Sequence, residues 1–367
     1  MASFPAELAI RCRCRWGERA MNIALVCPYD LGVPGGVQDQ VIRLARWLDD
    51  RGHSPKIVGP GTEGPEDAVL IGGTVLIQAN RSSTPIALDP RTTRRLKDAV
   101  AGADVIHIHE PFMPLVSTSA VRISNVATVG TFHADAPRWA RFGYKVGSGV
   151  WRRLLGRLDV ITTVSHVSAS AISPFSNPRV IPNGIDTADY GRGEKRTNRV
   201  AFLGRDDERK GLQVMLDAWP HVREHIPEAE LRVIGAERDD TIPGVAFLGR
   251  VSEATKLEEL SSAEVYCAPN LGGESFGIVV VEGMASGCAI VASAIPAFVS
   301  VLDGSGELIA PGDSGALAQR ILSLLNDRRY LESRQAAAVE AAARFDGQAV
   351  ADRYIAAYDD AIASHSR

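Results

Sequence analysis

Five cysteines in 367 residues, Cys12, Cys14, Cys27, Cys267 and Cys288, are too few and too odd in number for a disulfide scaffold. Only Cys12 and Cys14 lie close together, and no second pair completes a metal site, so the chain fits a reducing compartment. No run of 18 apolar residues occurs, which excludes a membrane-spanning helix. The first 20 residues alternate Arg11, Arg13, Arg15 and Arg19 with Cys12, Cys14 and Trp16, and lack the continuous apolar region of a signal peptide. They read as a leader, disordered or lying ahead of a start at Met21; a basic arm against a membrane is the alternative. Asp-x-Asp is missing throughout, so no carboxylate-held Mg²⁺ is indicated. The turn Val33-Pro34-Gly35-Gly36 lacks the GxGxxG spacing of a dinucleotide site, the loop from Arg205 to Lys210 is not a Walker A sequence, and no short-period repeat is seen.

What remains is apolar content of 45% and 34 glycines with only 6% aromatics, the composition of an α/β protein with many tight turns. The length suits two domains. Net charge is −4, unevenly spread: residues 21–190 carry 17 basic and 15 acidic side chains, residues 191–367 carry 19 and 27. The first half is therefore the partner expected for an anionic surface.

Buried strands alternate with helices along the chain. Strands are expected at 22–27, 55–58, 74–78, 104–109, 127–132, 160–164 and 179–181, with helices at about 37–51, 91–100 and 151–158. Val37, Val41, Leu44 and Leu48 form the stripe of the first helix and Gly52 its stop. Pro182-Asn183-Gly184-Ile185-Asp186 closes this series, and polar residues 192–198 form a linker. A second series runs from Val200 to Asn326, followed by two alanine-rich helices at 330–344 and 348–362 that need a surface to cover. Two parallel-sheet domains with chemical residues at their strand ends imply a cleft between them.

The stretch Leu271-Gly-Gly-Glu-Ser-Phe-Gly-Ile278 is the densest in chemistry. A glycine-rich loop entering a helix offers backbone N–H groups and the helix dipole to an anion, here at Phe276, Gly277 and Ile278. Glu274 precedes the helix and Glu282 follows on it about two turns later, in an otherwise apolar segment where a carboxylate needs donors; a ribose diol would supply them. Gly204-Arg205 and Lys210-Gly211 flank a second strand-to-helix loop, and two cations at a helix start suit a diphosphate. Alone, each is an ordinary solvated cation; their recurrence in the same half as Glu274 gives them a ligand. Val33-Pro34-Gly35-Gly36 forms a comparable first turn. His109, Glu110 and His133 end neighbouring strands. His107 and His109 share a strand face, but no third residue of matching spacing makes them a metal site. Arg138 to Arg157 holds six basic residues and no acidic one, interleaved with Trp139, Phe142, Tyr144 and Trp151; with Arg91, Arg94, Arg95 and Lys97 it suits an anionic lipid surface. Nucleic acid is disfavoured because the chain as a whole is acidic.

Together these pieces resemble the retaining glycosyltransferases of family GT4, over 21–362, and within them the phosphatidylinositol mannosyltransferases. The residues that carry the likeness are Pro28-Tyr29, Val33 to Gln38, His107-Ile-His-Glu-Pro111, His133, Pro182 to Asp186, Gly204-Arg205, Lys210-Gly211, Glu274 and Glu282. The resemblance implies a GT-B fold of two Rossmann-like domains facing across a cleft. It places an acceptor- and membrane-facing domain at 21–190, a donor domain at 191–345, and a helix at 346–367 that crosses back to the first. It implies that His133, Arg205, Lys210 and Glu274 act at the reacting centre. Gly35, Gly36, Arg205, Lys210, Glu274, Phe276, Gly277, Ile278 and Glu282 would bind the nucleotide sugar, with GDP-mannose the expected donor. Tyr29, Gln38, Arg91, Arg94, Arg95, Arg138, Trp139, Arg152 and Arg153 would meet the acceptor or the membrane. No tightly bound cofactor is implied, and a divalent metal would stimulate without protein ligands. The cleft would close about a hinge within 183–198, at the inner face of a plasma membrane. The loop Asp206-Asp-Glu-Arg209 lacks a proline and is one residue shorter than in close mannosyltransferases, which weakens the acceptor assignment more than the fold. Hexose transfer from another nucleotide sugar to a different lipid or soluble acceptor, and a non-catalytic sugar-nucleotide or lipid-binding module, remain the competing readings.

Overall fold

The computed structural model describes residues 19–79, 82–86, 91–133, 148–191 and 193–366. The leader reading for residues 1–20 therefore lies outside the described residues up to position 18, as do Cys12, Cys14, Arg138, Trp139 and the rest of 134–147.

Seven strands form the first sheet: β1 (Asn22–Val26), β2 (Ser54–Gly59), β3 (Val69–Leu70), β6 (Val105–His109), β7 (Ala127–Phe132), β8 (Val160–Thr163) and β9 (Arg179–Val180). Their order is β3-β2-β1-β6-β7-β8-β9, every pair parallel. Such strands are covered on both faces, which is why β6 and β7 are buried at every position. Helices α1 (Gly36–Asp50) and α12 (Gly347–His365) cover one face; α2 (Arg91–Ala99), α3 (Val116–Ile123) and α4 (Ser148–Leu155) contribute to the other. The α1 stripe ends as expected, with Gly52 at φ +83° and its N–H on Asp49 O.

The expected strand at 74–78 is displaced from this sheet. It forms β4 (Val75–Ala79), which pairs antiparallel with β5 (Ser82–Ile86) in a separate two-stranded ribbon. Its apolar run signalled a strand, but a near-adjacent segment pairs with it and the chain never crosses over to reach the sheet.

The second sheet holds β10 (Arg199–Leu203), β11 (Glu230–Ile234), β12 (Val245–Phe247), β13 (Val265–Ala268), β14 (Ala289–Ser293) and β15 (Glu307–Ile309), all parallel in the order β12-β11-β10-β13-β14-β15. Helices α6 (Leu212–His225) and α10 (Ser314–Asn326) pack on one face; α8 (Ile278–Ala285) and α9 (Pro296–Leu302) pack on the other. The remaining helices are α5 (His166–Ile172), α7 (Glu253–Ser262) and α11 (Arg328–Ala342). In each sheet the strand order reverses once, between β1 and β6 and between β10 and β13, and at such switch points the loops diverge and leave a crevice.

The chain crosses between the lobes twice, and the two crossings are stitched together. Ile185 N–H donates to Phe345 O at 3.0 Å, and Gly347 N–H donates to Ile185 O at 2.8 Å. Trp47 of α1 lies between them: a Cβ on Gly184 would come within 2.8 Å of its ring, and one on Gly347 within 2.1 Å. The indole N–H donates to Asp186 Oδ1 at 2.5 Å, Arg43 meets the other carboxylate oxygen at 2.9 Å, and Arg46 joins the same oxygen. Gln40 pairs with the Gly184 backbone in both directions at 3.0 Å. Beyond the crossing, α12 buries Val350, Ala351, Tyr354, Ile355, Tyr358 and Ala361 in the core of the first lobe.

Replacing Gly347 with alanine should destabilise the protein by about 1–3 kcal/mol through overpacking against Trp47. Gly149→Ala, where an added Cβ meets nothing within 4 Å, is the control and should be neutral or slightly stabilising. Denaturant midpoints that fail to separate the two variants would remove the wedge.

Candidate functional site

The chemical residues lie on loops at the carboxyl ends of the strands flanking both switch points. In the second lobe the loop after β10 ends in a turn at Glu208–Lys210, capped by Gly211 at φ +72°. A Cβ there would sit 1.9 Å from Pro269 O, so only glycine lets this loop approach the one after β13. The approach brings Lys210 Nζ to 2.7 Å from Glu274 Oε2, and Asn270 donates to the same oxygen at 3.3 Å. Oε1 of Glu274 carries no protein hydrogen bond among the described residues. Arg205 is exposed on the loop, whereas Arg209 turns back to pair with Asp207 at 2.8 Å.

The Glu274 loop uses Gly272, Gly273 and Gly277 in left-handed conformations, with φ of +149°, +70° and +103°. Gly277 caps α8 against Phe298, whose ring would lie 2.8 Å from an added Cβ, and Phe276 is buried edge-on to Phe345 at 5.6 Å. Ile278 opens the helix half-buried. One turn farther, Glu282 is buried, and its Oε1 accepts from Tyr190 Oη and Lys256 Nζ, each at 2.7 Å. The expensive carboxylate thus has protein donors, not a ribose alone. Both bonds again fall on one oxygen, leaving Oε2 without a protein hydrogen bond among the described residues. Tyr190, Lys256 and Asn270 escaped sequence reasoning, because each stands in an unremarkable helix or loop 4–92 residues from the carboxylate it serves.

In the first lobe, Gly35 and Gly36 start α1, with Gly36 open toward space where a Cβ would meet nothing within 4 Å. Gln38, read as an acceptor contact, is turned inward: its amide donates to Asp30 O at 3.2 Å and Val33 O at 3.1 Å and braces the first loop. Tyr29 is half-buried on that loop. Glu110 follows β6 in the left-handed region at φ +49°, and its Oε1 accepts the His133 backbone N–H at 2.8 Å. The His133 ring is engaged on one side, where Nε2 lies 2.8 Å from His109 Nδ1. Burial lowers the His133 pKa to about 4 and that of His107 to about 3, and pushes His109 down as well. The lobes touch above this rim, where Ser165 Oγ donates to Ser275 O at 2.5 Å and Val164 joins the second lobe's core.

Arg91, Arg94 and Arg95 are exposed on α2, and Arg152 and Arg153 on α4 beside Val150, which is 67% exposed. Both helices bury leucines in the same core, so the two basic stripes cover one face of the first sheet. Among the described residues, one His and carboxylate cluster has metal-like spacing: His221, Glu224 and His225, all exposed at the end of α6. No helix of the described residues is long and apolar enough to cross a membrane.

Residues 34–189 match the family model described as Glycosyltransferase Family 4, and residues 197–327 match that described as Glycosyl transferases group 1. The chain is 36% identical over 373 residues to a phosphatidyl-myo-inositol mannosyltransferase of Mycobacterium leprae, covering 95% of this chain and 99% of the relative. It is 36% identical over 365 residues to the protein of that description from Mycolicibacterium smegmatis, covering 92% and 94%. Among solved structures, a glycosyltransferase from Rickettsia africae superposes with a TM-score of 0.72 at 17% identity, over 94% of this chain and 99% of that one.

Three neutral buried histidines carry a pH signature. The unfolded chain takes up their protons below about pH 6.5, while the folded chain resists until about pH 4 or lower, so stability is complete above 6.5 and falls as pH drops. Urea midpoints should decline between pH 6.5 and 5, above the carboxylate range. A flat profile there would mean the histidines are not buried neutral.

Proposed function

The chain belongs to glycosyltransferase family 4, closely related to the phosphatidylinositol mannosyltransferases, and we propose that it transfers mannose from GDP-mannose to the inositol ring of a phosphatidylinositol acceptor with retention of configuration. End-to-end similarity supports the enzyme class. The observation that carries the chemistry is the pair of half-used carboxylates, Glu274 and Glu282, on one loop and helix. Each is fixed through one oxygen by protein donors and keeps the other for hydroxyls, Glu274 for the sugar and Glu282 for the ribose.

Between them, the α8 amino terminus with Phe276, Gly277 and Ile278 offers backbone N–H groups to the diphosphate. Lys210 keeps Glu274 with one of its three hydrogens and has others for phosphate oxygens; Arg205, exposed on the same loop, adds a planar fork. As the sugar leaves, charge grows on the β-phosphate, and these cations stabilise it. The same phosphate helps deprotonate the attacking inositol hydroxyl on the same face, which accounts for retention without a carboxylate nucleophile. Gly35 and Gly36 close the site from the first lobe, with His133 and Glu110 at its rim.

We assign 21–190 to the acceptor- and membrane-facing half, 191–345 to the donor half, and 346–367 to the returning helix. Closure about the crossover excludes water that would otherwise hydrolyse the donor. The exposed Arg91, Arg94, Arg95, Arg152 and Arg153, flanked by Val150, suit an anionic bilayer, at the inner face of the plasma membrane.

Incubation with phosphatidylinositol vesicles and GDP-mannose should release GDP and yield a hexosylated inositol lipid by mass analysis; turnover with another sugar nucleotide alone would redirect the donor assignment. Lys210→Ala should lower kcat/KM by roughly 10² or more, and an unchanged value would reject its charge-stabilising role. Replacing Arg152 and Arg153 together with serine should weaken binding to anionic vesicles roughly 30-fold, at about 1 kcal/mol per cation. Undiminished vesicle binding would reject this lipid face.

A further inference from the structure

Behind His133 the first lobe buries a connected row of polar rings. His107 and His109 alternate along β6 and so point to the same sheet face. His107 Nδ1 lies 2.8 Å from the Tyr358 hydroxyl of α12, and its Nε2 lies 2.7 Å from the Thr131 hydroxyl. Its ring centroid is 4.2 Å from that of His109. His109 Nδ1 then meets His133 Nε2 at 2.8 Å, and Asn183 of the crossover lines the same small cavity as both rings. His109 Nε2 is buried with no partner among the described residues. Beside both rings is a cavity of about 10 Å³, lined also by Gln40, Trp47 and Tyr354, room for at most one water.

Two neutral imidazoles in contact must divide the roles, one donating N–H and the other accepting on a lone pair. His109 Nε2 has no partner among the described residues, and a buried N–H left unpaired is rarer than an unpaired lone pair, so Nε2 is the lone pair and Nδ1 carries the hydrogen. His133 Nε2 then accepts from His109 Nδ1–H, and the His133 hydrogen sits on its Nδ1.

We propose that His109 is a positioning residue for His133: its Nδ1–H fixes the His133 tautomer and ring plane, so that the strand end at the cleft holds one geometry toward the donor sugar. This rests on the reading of His133 as a residue at the reacting centre. It does not require His109 to touch substrate. The α12 helix extends the support through Tyr358 and His107, so a group on the returning helix bears on the cleft rim.

The test uses the full chain with His109→Leu, which removes the donor, and His109→Asn, whose amide places an N–H near the Nδ1 position. The leucine variant should lower kcat by about 10- to 100-fold, the range for a lost orienting partner, with the GDP-mannose KM changed less than about threefold. Asparagine should restore turnover to within about fivefold of the parent. Imidazole ¹⁵N spectra, with the His133 signal assigned by its loss in His133→Gln, should show a single Nδ1–H tautomer in the parent and a mixture in His109→Leu. An Nε2–H tautomer in the parent, a leucine variant with unchanged kcat, or equal loss in both variants would overturn the proposal. Should the parent turn over no sugar nucleotide, the mannosyl reading fails, while the spectra still decide whether His109 sets His133.

Discussion

The relation between the lobes depends on one steric and electrostatic clamp. Trp47 fits only because positions 184 and 347 have no side chain, and Asp186 holds its indole while Arg43 and Arg46 balance the carboxylate. Since Ile185 also bonds to both Phe345 and Gly347, the outgoing and returning crossings behave as a single strap on α1. The second lobe can be placed opposite the first without a large shared core. The strap ties the two crossings between the lobes to α1.

Within that frame, the proposed donor site rests on two carboxylates that the protein holds through one oxygen each. Glu282 lies in an apolar helix and costs little because Lys256 and Tyr190 meet one of its oxygens; Glu274 is held the same way by Lys210 and Asn270. Side chains fixed before the ligand arrives lose little freedom on binding. On the opposite rim, burial holds His133 neutral, so that wall presents a hydrogen-bonding ring rather than a cation.

The legible part of the fold was its alternation of buried strands and amphipathic helices, and the two series separated near Asp186. Short elements were lost: β3 and β5 are too brief or too polar to signal themselves, and β4 read like a sheet strand because its apolar run says nothing about its partner. At the site, residues beside glycines or at strand ends were visible, as with Lys210, Glu274 and His133. The bracing role of Gln38 was not legible, because its amide donates to Asp30 and Val33 carbonyls that only the folded loop brings to it.

By itself the sequence determined which segments become strands and helices, where glycine permits tight loops, and which half carries the basic helices, because these follow from local periodicity, backbone sterics and composition. Only the tertiary structure decided which groups share a hydrogen bond. The Lys256–Glu282 contact spans 26 residues, Tyr190–Glu282 spans 92, and His107–Tyr358 spans 251. Those pairings arise from strand order and from the helix that crosses back, and a linear pattern does not encode distances set by sheet topology.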